Sequence, residues 1–230
     1  MQSTYGFSHF LAHLDPVGQA ALYAMVLLSV ASWSVAIVKA WQIAVLLWIE
    51  RRRVGRPGKR MTEFDSPWVR IDAAGTDAAW RLSRASSDPL LPLSHPEVVV
   101  TGALGRALAV ERSRLERGLA LVATASSTAP FVGLFGTVWS IHHALVAIGT
   151  TGEGGLDKVA GPVGEALVMT GIGLAVAIPA LVCYNALVAA QAGLLHRMEG
   201  FARDLFERLA LAEKGDHGIV VTEIVKVGKR

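Results

Sequence analysis

The sequence predicts an all-α integral membrane protein, in which three long transmembrane helices extend into a helical cytoplasmic domain. Two observations lead to this fold class. Of the 230 residues, 52% are hydrophobic and the mean hydropathy is +0.43, which is high for a water-soluble domain. In addition, three apolar segments each exceed the roughly 20 helical residues that cross a bilayer core of about 30 Å.

The three transmembrane helices are predicted at residues 17–49, 118–149 and 162–195. The first has no charged residue before Lys39, and it lacks the basic start and the small-residue cleavage pattern of a signal peptide. The second contains no Lys, Arg, Asp or Glu, and the third contains one charged residue, Glu165. All three segments are therefore predicted to stay in the membrane.

The positive charges predict the orientation. Residues 1–16 contain no Lys or Arg, residues 50–117 contain thirteen, residues 150–161 contain only Lys158, and residues 196–230 contain seven. Because positive residues stay on the cytoplasmic side, the N-terminus is predicted outside and the C-terminus inside. The chain then has a short periplasmic segment, a cytoplasmic helical domain, a periplasmic loop, and a cytoplasmic C-terminal helix with a tail.

The composition excludes several classes of function. The basic run RRRVGRPGKR at 51–60 follows a span directly, so it is better explained by attraction to anionic lipids than by nucleic-acid binding. GRPGKR lacks the strand and the Ser or Thr of a phosphate loop. With one cysteine, Cys183, and no metal-ligand cluster or nucleophile motif, no cofactor, metal site or enzymatic activity is predicted.

The helices and loops outside the membrane are predicted from the Gly and Pro residues that interrupt helices and from the helical spacing of apolar residues. Residues 55–70 contain Gly and Pro and predict a loop, and a helix follows at 71–86. Another helix is predicted from Glu97 and is expected to run without a break into the second span. After the third span, apolar residues recur at helical spacing and predict an amphipathic helix. These are Leu195, Met198, Phe201, Leu205 and Leu209.

The second span contains the stretch STAPFVGLFGTVWSIHHALVAIG at 127–149, which is unusually rich in small and hydroxylated residues. One helical face of this span carries Ser126, Pro130, Gly133, Thr137, Ser140 and Ala144. The third span has a similar face with Ala166, Thr170, Gly173, Ala177 and Ala180. Small side chains let helices approach closely in lipid. These faces therefore predict either a tightly packed bundle, with Gly133, Gly136, Gly173 and Ala177 as packing residues, or a pore lining.

Three polar residues favour the pore. Thr137 and Thr170 lie roughly 16 and 12 Å from the outer ends of their spans, at 1.5 Å per residue, so their hydroxyls are at similar depth. A carboxylate such as Glu165 costs about 2.5–3.5 kcal/mol at mid-membrane and usually faces a bundle interior or water. Glu165 and Thr170 differ by about 140° around the helix, so they are expected to meet different neighbours.

The motifs STAPFVGLFGTVWSI and GPVGEALVMTGIGLAVAIPALVCYN resemble the family of ExbB, TolQ and MotA, strongly over residues 100–195. The resemblance implies an inner-membrane subunit of Gram-negative bacteria that forms a pentameric ring around a dimer of ExbD. Such a ring uses the proton motive force to energise TonB, and through it the import of iron-siderophores and vitamin B12. Thr137 and Thr170 match the family's pore threonines, and Glu165 matches its pore glutamate.

Some readings stay open. His142 and His143 depart from the family pattern, and we expect an interfacial or packing role for them rather than a role in proton entry. Within the family, TolQ of the Tol-Pal system is the nearest alternative. A passive scaffold for ExbD and TonB is another. A secondary transporter is disfavoured, because the three spans show no inverted repeat.

Overall fold

The computed structural model describes residues 15–54, 66–85, 96–151 and 156–214, and almost all of these residues are helical. The described helices are α1 Pro16–Val54, α2 Pro67–Ala85, α3 Pro96–Glu116, α4 Leu119–Thr151 and α5 Leu156–Lys214. Within these described ranges, three stretches are long and apolar enough to cross a membrane, namely Pro16–Arg51, Leu119–Thr150 and Ala166–Ala210. The prediction of an all-helical chain with three membrane-length helices is therefore confirmed.

Two helices begin with the same pair of signals, a capping side chain followed by proline. Asp15 precedes Pro16 at the start of α1, and Ser66 precedes Pro67 at the start of α2. The Asp15 carboxylate accepts a hydrogen bond from the backbone N–H of Gly18 at 3.1 Å. Asp and Ser satisfy the unpaired N–H groups of a first turn, and proline at the first helical position has no N–H to leave unpaired. The local sequence thus defines both starts.

The boundary between α3 and α4 differs from the prediction. The expected continuous helix from Glu97 into the second span was wrong, because the chain breaks at Gly118, where φ is 86°. Residues with a side chain rarely adopt this left-handed conformation, whereas glycine adopts it without strain. A lone glycine in an apolar helical pattern does not by itself announce a break, and here no proline marks it.

Helices also extend beyond their predicted ends on the other side of α4. Thr151 ends α4 and Leu156 begins α5, so most of the loop predicted at 150–161 is helical. The amphipathic helix predicted after residue 195 is not a separate element, because α5 continues to Lys214 without interruption. Of the predicted periplasmic segment 1–16, residues 1–14 lie outside the described residues, as does the tail after Lys214.

The chain divides into two compact units, of which the first contains the described residues up to Gln42 together with Gly118–Val188. Its centre is Met169 of α5, which is fully buried. The start of α1 packs on this methionine through Ala21, Leu22 and Met25. Aliphatic side chains of α4 and α5 complete the cluster, so one methionine holds three helices together in this unit.

Within this unit, α4 and α5 approach each other through two glycines. A Cβ added at Gly133 would lie 2.8 Å from the carbonyl oxygen of Met169 and 3.1 Å from the Cα of Gly173. A Cβ added at Gly173 would lie 2.7 Å from the carbonyl oxygen of Ala129. Both obstacles are backbone atoms, which a side-chain rotation does not move. The two helices therefore meet backbone to backbone, as small residues permit in a membrane.

Gly136, one turn further along α4, contacts a side chain instead. A Cβ at this position would lie 2.9 Å from the terminal methyl carbon of Met169. Methionine has three rotatable bonds and adapts to irregular spaces. The space beside Gly136 is therefore filled by a group that can move, unlike the space beside Gly133.

The second unit contains Ile43–Arg117 and the chain from Ala189 onward. Its core is built by one face each of α2, α3 and the end of α5. The buried apolar residues are Trp68, Ile71, Ala78, Leu82, Val100, Leu104, Leu194, Met198, Ala202 and Leu205. The space beside Gly75 of α2 is filled by two leucine side chains, because a Cβ on this glycine would lie 2.9 Å from Leu104 and 3.0 Å from Leu205. Of the apolar residues predicted for the last helix, Met198 and Leu205 are buried.

A buried ion pair lies in the same unit. Glu111 of α3 is only 3% exposed, and its carboxylate accepts two hydrogen bonds from the Arg70 guanidinium, both at 2.7 Å. Arg114 adds a third at 3.1 Å. This two-pronged geometry is the strong form of an arginine–carboxylate pair. It joins α2 to α3 at a point where an unpaired carboxylate is costly.

We expect Arg70→Ala to lower the free energy of unfolding by about 3 kcal/mol, because it leaves the Glu111 carboxylate buried with one weaker partner. Thermal unfolding of the detergent-solubilised protein measures the effect. Arg112→Ala is the matched control, since Arg112 forms an exposed pair with Glu116 within α3, and this variant should unfold as the parent does. Equal melting temperatures for both variants would contradict the prediction.

At the α4–α5 crossing, we expect Gly133→Ala to destabilise the protein by about 1–3 kcal/mol, since a methyl group there must push backbone apart. Gly136→Ala should cost less than about 1 kcal/mol, because the Met169 methyl can turn aside. Gly105→Ala in α3 is the control, as among the described residues no atom beyond the local backbone of α3 and the two chain neighbours lies within 4 Å of the added methyl. A larger loss for Gly136→Ala than for Gly133→Ala, measured by thermal unfolding, would overturn this account.

Candidate functional site

The structure brings the two predicted threonines together beside the glycine crossing. The Thr170 hydroxyl of α5 donates to the Thr137 hydroxyl oxygen of α4 across 3.5 Å. Thr137 in turn donates to the backbone carbonyl of Leu134 at 2.7 Å. The contact between the two threonines is at the long limit for a hydrogen bond. It is therefore weak, and the Thr170 hydroxyl can turn to another acceptor at little cost.

The two threonines differ in exposure. Thr137 is 5% exposed, whereas Thr170 is half-buried. Thr137 lies one turn from Gly133, on the face of α4 that meets α5, which explains its burial. Within one copy of the chain, Thr170 is thus the hydroxyl that a solvent molecule or a neighbouring chain reaches first, and Thr137 lies behind it.

The hydroxyls in the first turns of α4 share one pattern, in which each donates its proton to a carbonyl of its own helix. Thr124 donates to Ala120 at 2.8 Å and Thr128 donates to Thr124 at 2.6 Å. Ser126 and Ser127 donate to carbonyls three residues back. This pairing is the usual way for Ser and Thr to sit inside a helix. It keeps four hydroxyls satisfied without a partner from another helix.

The other predicted polar residues are not joined to this pair. The backbone of Glu165 lies in α5, but its side chain lies outside the described residues, so its place in the pore lining stays a prediction. His142 and His143 are exposed near the end of α4. The four predicted packing residues Gly133, Gly136, Gly173 and Ala177 are all buried in the first unit. No cluster of metal-ligating side chains occurs among the described residues.

One polar contact was not predicted from the sequence. The indole N–H of Trp139 on α4 donates to the Asp15 carboxylate, whose other oxygen caps α1. The Trp139 ring also lies beside two other rings of α4, those of Phe135 at 6.3 Å and His142 at 6.2 Å between centroids. The Asp-Pro pair at the start of α1 is a readable capping signal, but nothing local to Asp15 points to a residue 124 positions away.

The burial of the Lys39 side chain on α1 was also not predicted from the sequence. Lys39 is 8% exposed, and its Cε lies 3.8 Å from the place that a Cβ on Gly118 would take. Val35, one turn earlier, approaches the same place to 3.3 Å. The left-handed glycine is thus covered by α1. The sequence signalled only that Lys39 interrupts an apolar segment.

Comparison with known proteins gives a family for this arrangement. Residues 86–200 match the model of the MotA/TolQ/ExbB proton channel family. The chain is 32% identical to the biopolymer transport protein ExbB of Xanthomonas campestris pv. campestris over 234 residues, covering 92% of this chain and 91% of the relative.

Two further relatives differ in coverage. ExbB of Neisseria meningitidis is 32% identical over 213 residues, which cover 85% of this chain and 93% of the relative. The Tol-Pal system protein TolQ of Pseudomonas aeruginosa is 41% identical over 114 residues, which cover 48% of this chain and 49% of the relative. The matched family region includes α4 and the threonine pair. This chain belongs to the MotA/TolQ/ExbB proton channel family.

Proposed function

We propose that the chain is the ExbB-type subunit of a Ton system in the inner membrane of a Gram-negative bacterium. Five copies form a ring around an ExbD dimer. The ring uses the proton motive force to energise TonB-dependent import of iron-siderophores and vitamin B12 across the outer membrane. The observation that carries the proposal is the contact between the Thr137 and Thr170 hydroxyls in a chain of the proton channel family.

The proton route in this proposal runs along Thr170, Thr137 and Glu165. A hydroxyl donates and accepts at once, so it can pass a hydrogen bond between water and a titratable group. Thr170 is half-buried and faces the partner first, while Thr137, behind it, accepts the Thr170 hydroxyl proton. The acid that carries the proton is expected on the ExbD helix, and Glu165 supplies a carboxylate nearer the periplasmic end.

The same proposal includes an orientation. The N-terminus faces the periplasm and the C-terminus faces the cytoplasm, because thirteen of the 22 Lys and Arg residues lie in 50–117 and seven follow residue 195. Arg51, at the end of the first membrane-length stretch, begins the basic run that contacts anionic lipids. Residues 50–117 and 196–230 then lie on the cytoplasmic side.

The extent of the similarity favours the Ton system over the Tol-Pal system. The ExbB relatives align with 85–92% of this chain, whereas the TolQ relative aligns with 48%. The shorter match has the higher identity, at 41% against 32%. Shared channel residues explain a local match, but only a common layout of all helices explains alignment over almost the whole chain.

A passive scaffold for ExbD and TonB is the alternative from another class of function. The glycine crossing supports it, because close packing alone accounts for Gly133 and Gly173. Packing does not account for a second hydroxyl facing Thr137, since alanine or valine would fill the same space without a polar atom. The threonine pair therefore favours a channel.

We expect Thr170→Val to reduce siderophore-dependent growth to that of a strain lacking the gene, because valine has the shape of threonine without the hydroxyl. Thr137→Val should act in the same direction. Thr170→Ser is the matched control, since it keeps the hydroxyl and should retain most of the growth. Immunoblots must show equal amounts of all variants in the membrane. Normal growth of both valine variants would support the scaffold instead.

We also expect the gene to complement a deletion of exbB and not a deletion of tolQ in its own host. Growth on an iron-siderophore as the iron source reports the first function. Resistance to bile salts or detergent reports the integrity of the outer membrane, and hence the second. Rescue of detergent resistance without rescue of siderophore use would assign the chain to the Tol-Pal system.

A further inference from the structure

We propose that Asp15 is a positioning residue, which holds α4 in the rotation that turns Thr137 towards Thr170. The proposal rests on the proposed proton route and adds a residue that lies on neither helix of the threonine pair. Asp15 stands at the first turn of α1 and uses both carboxylate oxygens. One accepts the N–H of Gly18 and the other accepts the indole N–H of Trp139.

The geometry of α4 explains why such a contact sets its rotation. Trp139 follows Thr137 by two residues, so the two side chains leave the helix about 200° apart and only about 3 Å apart along its axis. Asp15 therefore holds α4 on one side at the level where Thr137 meets α5 on the other. Contacts on opposite sides at one level resist rotation, which a contact on a single side does not.

The contact between Gly133 and Gly173 does not by itself fix the rotation of α4. Gly133 and Gly173 bring the backbones together, but neither presents a side chain that interlocks with the opposite helix. The contact that depends most on rotation is the one between the threonines, which is already 3.5 Å long. A rotation of about 20° moves a Cα on its radius of about 2.3 Å by about 0.8 Å, and a hydroxyl further out by more. Such a shift separates the threonines.

The indole is well suited to transmit the constraint. Its ring lies beside those of Phe135 and His142, which stand four residues before it and three residues after it on α4. A half-buried indole N–H needs an acceptor in apolar surroundings, and a carboxylate is a strong one. The capping bond to Gly18 in turn fixes the carboxylate on α1. The chain of contacts from α1 to α4 is thus short and rigid.

Cross-linking tests the orientation directly. Thr137→Cys and Thr170→Cys are introduced into the full-length protein with Cys183→Ser, and the rate of disulfide formation is followed in membranes under mild oxidation. We expect Asp15→Ser to slow the reaction several-fold, because serine still caps α1 but is too short to hold the indole. Trp139→Phe should slow it equally, and the double variant should be no slower than either single one.

The controls separate positioning from stability. Trp33→Phe changes an indole that is 48% exposed on α1 and should leave the rate unchanged. Asp15→Asn keeps a single acceptor oxygen, which can serve Gly18 or Trp139 but not both, and should give a rate between those of the parent and Asp15→Ser. An unchanged rate in Asp15→Ser, or a double variant slowed by the product of the two single effects, would overturn the proposal.

A second readout uses the natural threonines. Asp15→Ser and Trp139→Phe should lower siderophore-dependent growth to the same extent at equal protein level, again without a further loss in the double variant. The cross-linking rate needs no proton motive force, so it is independent of the proposed function. If the Thr137→Val and Thr170→Val variants support normal growth, the proposed proton route is wrong, but the positioning role of Asp15 is not affected. If Asp15→Ser leaves the cross-linking rate unaltered, the positioning role alone is wrong.

Discussion

The closest approach between α4 and α5 occurs where Gly133 faces Gly173, and the threonine pair depends on it. A methyl group on either glycine would meet backbone at less than 3 Å. In lipid there is no hydrophobic driving force for helices to associate, because lipid tails are as apolar as the side chains. Van der Waals contact between closely packed backbones therefore supplies the attraction that side-chain burial supplies in water. The same closeness brings Thr170 to 3.5 Å from Thr137. A larger distance between α4 and α5 at this level would separate the two hydroxyls beyond hydrogen-bonding distance.

The centre of the first unit reconciles this tight crossing with a third helix. Met169 is the neighbour of Thr170 in sequence, yet it is fully buried and packs against Ala21, Leu22 and Met25 of α1. Adjacent residues on a helix point about 100° apart. At one level, α5 therefore presents an oily side chain to α1 and a hydroxyl towards α4. Met169 also lies beside Gly136 of α4, and α1 contacts α4 from its end as well, through Asp15 and Trp139.

Much of this arrangement could be predicted from the sequence, and the exceptions have physical reasons. Hydropathy predicted three membrane-length helices, because 20 apolar residues leave few alternatives. Helical period and depth brought Thr137 and Thr170 to one level. The break at Gly118 escaped prediction, because backbone conformation at a glycine follows from tertiary contacts, here with Val35 and Lys39. The Asp15–Trp139 contact escaped for the same reason, since it joins distant parts of the chain.

The pairing of the hydroxyls at the start of α4 has a consequence for hydrogen bonding to other molecules. Thr124, Ser126, Ser127 and Thr128 donate their protons to carbonyls of their own helix. What each hydroxyl still offers to its surroundings is a pair of electrons on oxygen, with no hydrogen to give. Any group that approaches these oxygens, from water or from a neighbouring chain, must therefore supply the proton of the hydrogen bond itself.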